Sequence, residues 1–186
     1  PITPIITDGE AMIVVTHPNH IPYINKVLAL PTEGPYLSVY SYSPENYPVN
    51  QESKLTLTIR NVGNESVNGE AKVTLRSESE LVKLVDSVAV FTSLDPESTL
   101  NLTDEFSLIV DKSFKNQDAI VLQAKIEYDT LVWNNKFAVN VVTPVMEYVG
   151  IEWDEAFEPG GTHTLQANFK NIGHYKAVNA KVEATS

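Results

Sequence analysis

An all-β fold built from sandwiches of about 100 residues each is what this sequence predicts, and three observations carry the prediction. Nearly every periodic stretch alternates apolar and polar residues with period two, the spacing of a strand with one buried face. Two stretches repeat one another: Lys54 to Gly63 and Thr164 to Gly173 both alternate, then close on a basic residue, Asn, an apolar residue and Gly. The shared asparagines, Asn61 and Asn171, lie 110 residues apart, about one sandwich length. Clusters of Pro, Gly, Asn and Asp separate the alternating runs, at Pro31 to Pro35, Asn61 to Asn64 and Leu94 to Ser98.

Composition narrows the class further. The chain has 186 residues, 42% of them hydrophobic, which allows one or two domains with a real core. Thirteen basic against 24 acidic residues give a net charge of −11, which argues against nucleic acid or an anionic membrane as partner. With no cysteine, disulfides, Cys-ligated zinc and a cysteine nucleophile are excluded within this stretch. No apolar run approaches the roughly 18 residues of a membrane span, so no membrane insertion is expected. The chain opens on Pro1-Ile2-Thr3-Pro4 without Met or an apolar leader, which reads as an excised piece with any signal peptide outside it.

In chain order, Glu10 to Thr16 is a short β-branched run, followed after His17-Pro18-Asn19-His20 by Ile21 to Leu30, which reads as two strands and a turn. Pro31 to Pro35 is a linker, since two prolines in five residues remove ladder donors. Tyr36 to Tyr42 alternates and places Tyr40 and Tyr42 on one face. Leu55, Leu57 and Ile59 form one face of the next strand, ending at the Asn61-Val62-Gly63-Asn64 turn. Strands follow at Ala71 to Leu75, Leu81 to Leu84, Ser87 to Thr92, Phe106 to Val110, Leu122 to Ile126 and Trp133 to Val142. That makes about eight strands between residues 35 and 143, one complete sandwich of the immunoglobulin-like type.

The flanking pieces are shorter. Residues 1–34 hold two strands, read as the final strands of a preceding sandwich, and residues 144–186 hold roughly three, read as the start of a further, truncated module. Their apolar faces need a partner: the central module, absent strands, or a second copy of the chain. An unpaired Ile/Val-rich strand such as Met12 to Val15 is prone to strand exchange, which would give a homodimer.

Leu55 to Gly63, and Pro159-Gly160-Gly161 to Gly173, resemble the alternating run ending in Asn-x-Gly of adhesion-type immunoglobulin-like modules in bacterial secreted proteins. Val15 to Ile24 is similar to the final hairpin of the sandwich that follows the catalytic domain in gingipain-type cysteine peptidases, and Pro31 to Val39 to the junction with the next module. Val73 to Ser77 with Leu84 to Asp86, Phe106 to Leu108, and Trp133 to Val141 before Pro144 fall in a similar order. Pro48-Val49-Asn50-Gln51-Glu52 departs from the pattern by replacing its Pro-Gly-Glu turn, and the peptidase's catalytic Cys and His have no counterpart. The resemblance implies a tandem, peptidase-associated module that is secreted or held at the cell surface, with no catalytic residue of its own.

Each candidate site has a plainer alternative. His17 and His20 flank a Pro-Asn turn and could share a Zn²⁺, but no third ligand is near and the turn accounts for them. Glu152, Asp154, Glu155 and Glu158 could gather Ca²⁺, against the reading of a solvated acidic turn, so no metal is expected. Trp133 and Trp153 could form an aromatic platform, although a Trp that starts an alternating strand is more often core. Tyr36, Tyr40, Tyr42 and Tyr47 form the densest aromatic stretch and are the candidates, with Trp153, for an interaction surface. No Gly-x-Ser-x-Gly elbow or Ser-His-Asp grouping occurs, so neither catalysis nor a cofactor is expected. Asn64 and Asn101 head N-glycosylation triplets, and Asp86-Ser87-Val88 and Asp129-Thr130-Leu131 resemble a short O-glycosylation signal of bacterial secreted proteins. The expected function is a non-catalytic spacer and interaction segment whose partners are neighbouring modules of its own polypeptide. The alternative is an adhesin module that binds protein or glycan.

Overall fold

The computed structural model describes residues 9–18, 21–29, 33–153, 160–162 and 164–183. It is all-β, and its centre is an immunoglobulin-like sandwich. Nine strands build it: β3 (Leu37–Ser43), β4 (Asn46–Pro48), β5 (Glu52–Asn61), β6 (Val67–Ser77), β7 (Val82–Asp86), β8 (Val88–Leu94), β9 (Thr99–Val110), β10 (Ala119–Tyr128) and β11 (Leu131–Val142). Before them stands a hairpin of β1 (Gly9–Val15) and β2 (Tyr23–Ala29), and after them one of β12 (Met146–Trp153) and β13 (Leu165–Asn171).

Two sheets face each other, one ordered β3-β5-β9-β7 and the other β4-β11-β10-β6-β8. Each alternating run sends one set of side chains between them. Leu55, Leu57 and Ile59 of β5 and Phe106, Leu108 and Val110 of β9 meet Val73, Leu75, Leu122, Ile126, Val139 and Val141 of the opposite sheet, all at most 1% exposed. Each fully buried side chain of this kind contributes roughly 1.5–3 kcal/mol. The pleat thus converts a period in the sequence into a common core.

The first segment of the sandwich changes sheets. β3 pairs with β5, whereas β4 runs parallel to β11 at Asn140–Val142, and Val49 then bridges to Val110. β4, too short to show a period, ends on Pro48, the first residue of the stretch read as a replaced Pro-Gly-Glu turn. It buries Tyr47 completely, yet the Tyr47 hydroxyl has no hydrogen-bond partner among the described residues. Burial, with a smaller contribution from the neighbouring Tyr42, pushes the Tyr47 phenol above its usual pKa.

The flanking hairpins carry exposed apolar side chains, among them Met12 and Val15 in β1, Tyr148 in β12 and Phe169 in β13. Tyr148 and Phe169 meet edge to face at 5.8 Å. Residues 144–186 hold two strands among the described residues, where roughly three were expected, because residues 172–183 form bends and irregular chain without a strand.

Candidate functional site

The repeated Asn closes the same hydrogen-bonded knot twice. Asn61 ends β5, is fully buried, and uses its whole amide: Oδ1 accepts from Tyr36 N at 3.1 Å and Gly63 N at 3.0 Å. Its Nδ2 donates to Glu65 O at 2.7 Å and Leu94 O at 3.1 Å. The backbone completes the knot, Val62 N donating to Tyr36 O and Asn64 N to Gly34 O. Gly63 lies against the incoming link, where a Cβ would overlap Gly34 O, Tyr36 N and Pro35 C. The Asn supplies acceptor and donor together, and the Gly lets two backbones touch.

At the second copy, Asn171 Oδ1 accepts from Val145 N at 3.1 Å and Gly173 N at 3.0 Å, while Nδ2 donates to Tyr175 O at 2.7 Å. Ile172 N donates to Val145 O, His174 N donates to Thr143 O, and a Cβ on Gly173 would overlap Thr143 O, Val145 N and Pro144 C. The bond corresponding to Leu94 has no counterpart among the described residues, and Asn171 is exposed where Asn61 is buried.

The central sandwich grips the same link from its other side. Asn116 Oδ1 accepts from Thr143 N at 3.1 Å and from His174 N at 3.4 Å. This orients the amide so that Nδ2 faces His174 Nδ1 at 2.7 Å, a contact that requires Nδ1 to be the acceptor. Gln117 Nε2 lies 3.4 Å from His174 Nε2, and Gln51 Nε2 donates to the Tyr175 hydroxyl at 2.9 Å. Every backbone N–H and C=O of Thr143 and Val145 is thereby engaged, and Pro144 has no N–H to satisfy.

A second feature lies on the open side of the sandwich, a cleft of about 810 Å³ between β3 and β11. Tyr36, Tyr40, Tyr42, Asn134, Asn135 and Phe137 line it, with Lys136, Gln123 and, from β2, Lys26 and Val27. Tyr36 packs on Trp133 at 5.9 Å between ring centroids. Tyr42 packs on Phe137 at 4.6 Å and donates its hydroxyl to Ala138 O at 2.7 Å. Asn135 Oδ1 accepts from Val39 N across the gap at 3.2 Å.

The expectation that Tyr40 and Tyr42 share a face is corrected. The β3–β5 register slips between Val39 and Ser41, so Tyr40 is an extra, bulged residue: Val39 pairs with Ile59 and Tyr42 with Leu57. Tyr42 therefore turns toward Phe137, while Tyr40 stays 62% exposed with the Arg60 guanidinium 5.6 Å from its ring. Tyr36, Tyr40 and Tyr42 nonetheless reach one cleft. Tyr47 does not, being enclosed in the core, and Trp133 is likewise core, at 7% exposed.

Of the candidate metal residues, Asp154, Glu155, Glu158 and His20 lie outside the described residues, as does the side chain of Trp153; His17 is exposed and its Nδ1 lies 3.0 Å from Pro18 O. Sequence reasoning marked Asn61 and Asn171 as a repeat but missed their role, read His174 as one more histidine of a turn or strand, and did not single out Asn116. The available signal was the proline 26 or 27 residues upstream of each Asn, Pro35 and Pro144.

No protein-family model and no curated protein matches the chain. Among solved structures it is similar to alpha-2-macroglobulin of E. coli in its native conformation, at 20% identity and a TM-score of 0.41, over 77% of this chain and 9% of that one. It is also similar to a crystal structure of the same protein spanning domain MG7 to the C-terminus, at 20% identity and a TM-score of 0.39, over 62% of this chain and 18% of that one. The chain thus spans less than a fifth of the length of either neighbour.

Proposed function

We propose that the chain is a non-catalytic immunoglobulin-like spacer of a secreted or cell-surface protein, holding the modules on its two sides in a fixed relation. The observation that carries this reading is the Thr143-Pro144-Val145 link, whose backbone groups are bonded on one side to Asn116 and on the other to Asn171, Ile172 and His174. A link of three residues without a free donor has little room to rotate. The knot at Asn61 fastens the incoming Gly34-Pro35-Tyr36 link in the same way. A gingipain-type cysteine peptidase as the parent protein is the finer part of the proposal, and it rests on the resemblance of residues 15–24 and 31–39 to that family's junctions.

The spacer reading is tested by distance measurement across the second link. Because the chain has no cysteine, spin labels can be placed cleanly at Glu80→Cys and Lys170→Cys. A narrow distance distribution is expected, broadened by Asn171→Ala or Asn116→Ala. A wild-type distribution as broad as that of the variants would sink the spacer reading.

A further inference from the structure

The outgoing link is fastened through a titratable side chain, and the incoming one is not. In the first knot Asn64 N donates to Gly34 O; in the second the corresponding donor to Thr143 O is His174 N. The imidazole of His174 meets two residues of the loop between β9 and β10. Asn116 Nδ2 lies 2.7 Å from Nδ1 and Gln117 Nε2 lies 3.4 Å from Nε2. The Asn116 amide is not free to turn, because its Oδ1 accepts from Thr143 N at 3.1 Å and from His174 N at 3.4 Å. A turned amide would set an NH₂ group against both N–H groups. Nδ1 is therefore the acceptor, and the neutral ring carries its proton on Nε2, toward which the Gln117 amide can turn its oxygen.

A second proton on the ring conflicts with this arrangement. It would put an N–H on Nδ1, 2.7 Å from a group that is itself a donor. Moving the ring away gives up that contact, and turning the Asn116 amide gives up the bonds from Thr143 N and His174 N. Either motion releases part of the grip on the link. His174 is exposed, so protons reach it from solvent. Beside it lies a cleft of about 260 Å³, whose other lining residues are Asn46, Gln117, Asn140, Val141 and Val142, none of them titratable. The loop that presents Asn116 also carries Lys115 and Asp118, and the Asp118 carboxylate accepts from Lys115 N at 2.7 Å. On its own segment His174 is followed by Tyr175, whose hydroxyl accepts from Gln51 Nε2, and by Lys176.

We infer that the junction between the central sandwich and the β12–β13 hairpin is pH-sensitive, held while His174 is neutral and loosened when the imidazole takes up a second proton. This regulation rests on the spacer reading, since only a fixed link has a fixation to lose. Imidazole titrates near pH 6.5, so the link is tight above that region and loosens as pH falls through it. Asn116 is a positioning residue here: it ties the protonation state of one ring to the backbone of the link.

The test measures spin-label distances in the full chain carrying Glu80→Cys and Lys170→Cys, at about pH 7.5 and about pH 5, on either side of the imidazole range. A narrow distribution is expected at the higher pH. At the lower one the loosened fraction should grow about fivefold, the equivalent of one net hydrogen bond. His174→Ala should show no pH dependence across this range. Asn116→Asp should reverse the sign: one carboxylate oxygen still accepts from Thr143 N and His174 N, and the other accepts the Nδ1–H of the imidazolium, so the link tightens as pH falls. A residue that merely packed would not invert the pH profile. Ring nitrogen-15 shifts of the wild type at about pH 7.5 read the tautomer without any variant, and should place the proton on Nε2. An Nδ1–H tautomer overturns the proposal. So does a wild-type distribution equally narrow at both pH values, a pH dependence that survives His174→Ala, or a folded Asn116→Asp chain that keeps the wild-type sign. A distribution broad at both pH values sinks the spacer reading itself and the proposal with it, so the two failures are told apart.

Discussion

Replacing Asn61 by Ala tests the knot where it is most enclosed. The side chain is fully buried and makes four hydrogen bonds, accepting from Tyr36 N and Gly63 N and donating to Glu65 O and Leu94 O. At a net contribution of about 1 kcal/mol per bond, the loss is about 4 kcal/mol, the bonds to Gly63 N and Leu94 O being buried and those to Tyr36 N and Glu65 O part-buried. Asn171→Ala is the internal control. It removes three bonds at an exposed position, where water takes over, so the expected loss is about 1 kcal/mol or less. Urea unfolding reads the difference through the fluorescence of Trp133, which is 7% exposed, in a Trp153→Phe background that leaves one tryptophan. The midpoint should fall for Asn61→Ala with little change in slope, since the surface exposed on unfolding is nearly the same. Equal losses for the two variants, or an Asn61→Ala loss below about 1 kcal/mol, would refute the claim that burial of the amide makes this knot strong.

Further outcomes follow from the same structure. Gly63→Ala sets a Cβ against the backbone of Gly34, Pro35 and Tyr36, and should lower stability by about 1–3 kcal/mol in the same urea assay. Tyr47→Phe deletes a buried hydroxyl that has no partner among the described residues, so the thermal midpoint should hold or rise by a few degrees, equivalent to roughly 1 kcal/mol. Asp86 is held below the usual carboxylate range, first by the Ser107 hydroxyl donating at 2.8 Å and then by Lys54 at 3.2 Å. A depressed folded-state value means that this contribution is present above the unfolded pKa of about 4 and is lost as pH falls through the folded value. Melting temperature measured from pH 7 downward should therefore fall less steeply below about pH 4 in Asp86→Asn than in wild type.

The strands were legible because a strand with one buried face must alternate, and Leu55, Leu57 and Ile59 do so without interruption. The bulge at Tyr40 was not legible, because one extra residue leaves no mark in an alternating run, although it puts Tyr40 and Tyr42 on different faces. β4 escaped notice because three residues, the last of them a proline, are too few to show a period. The role of Asn61 was hidden for a different reason. Asn before Gly is explained by turn chemistry alone, and nothing local says that its amide is spent on a segment 25 residues earlier. The cleft tyrosines were found by density along the chain, while Asn116 and His174 stand alone in sequence and acquire meaning only across the junction.

The direction of β3 has a mechanical consequence. Tyr36 lies against Trp133, Val39 against Asn135 and Tyr42 against Phe137, so β3 and β11 run side by side in the same direction. The chain enters near one end of β11 and leaves at its other end, about 30 Å away at roughly 3.3 Å per residue. Tension applied through the two links pulls β3 backward and β11 forward, so that the contacts between them are loaded together in shear and none is peeled open first. The knots at Asn61 and Asn171 deliver that load to β5 and β13 as well as to the first strand each link meets, and a pull on the polypeptide is shared before any strand can detach.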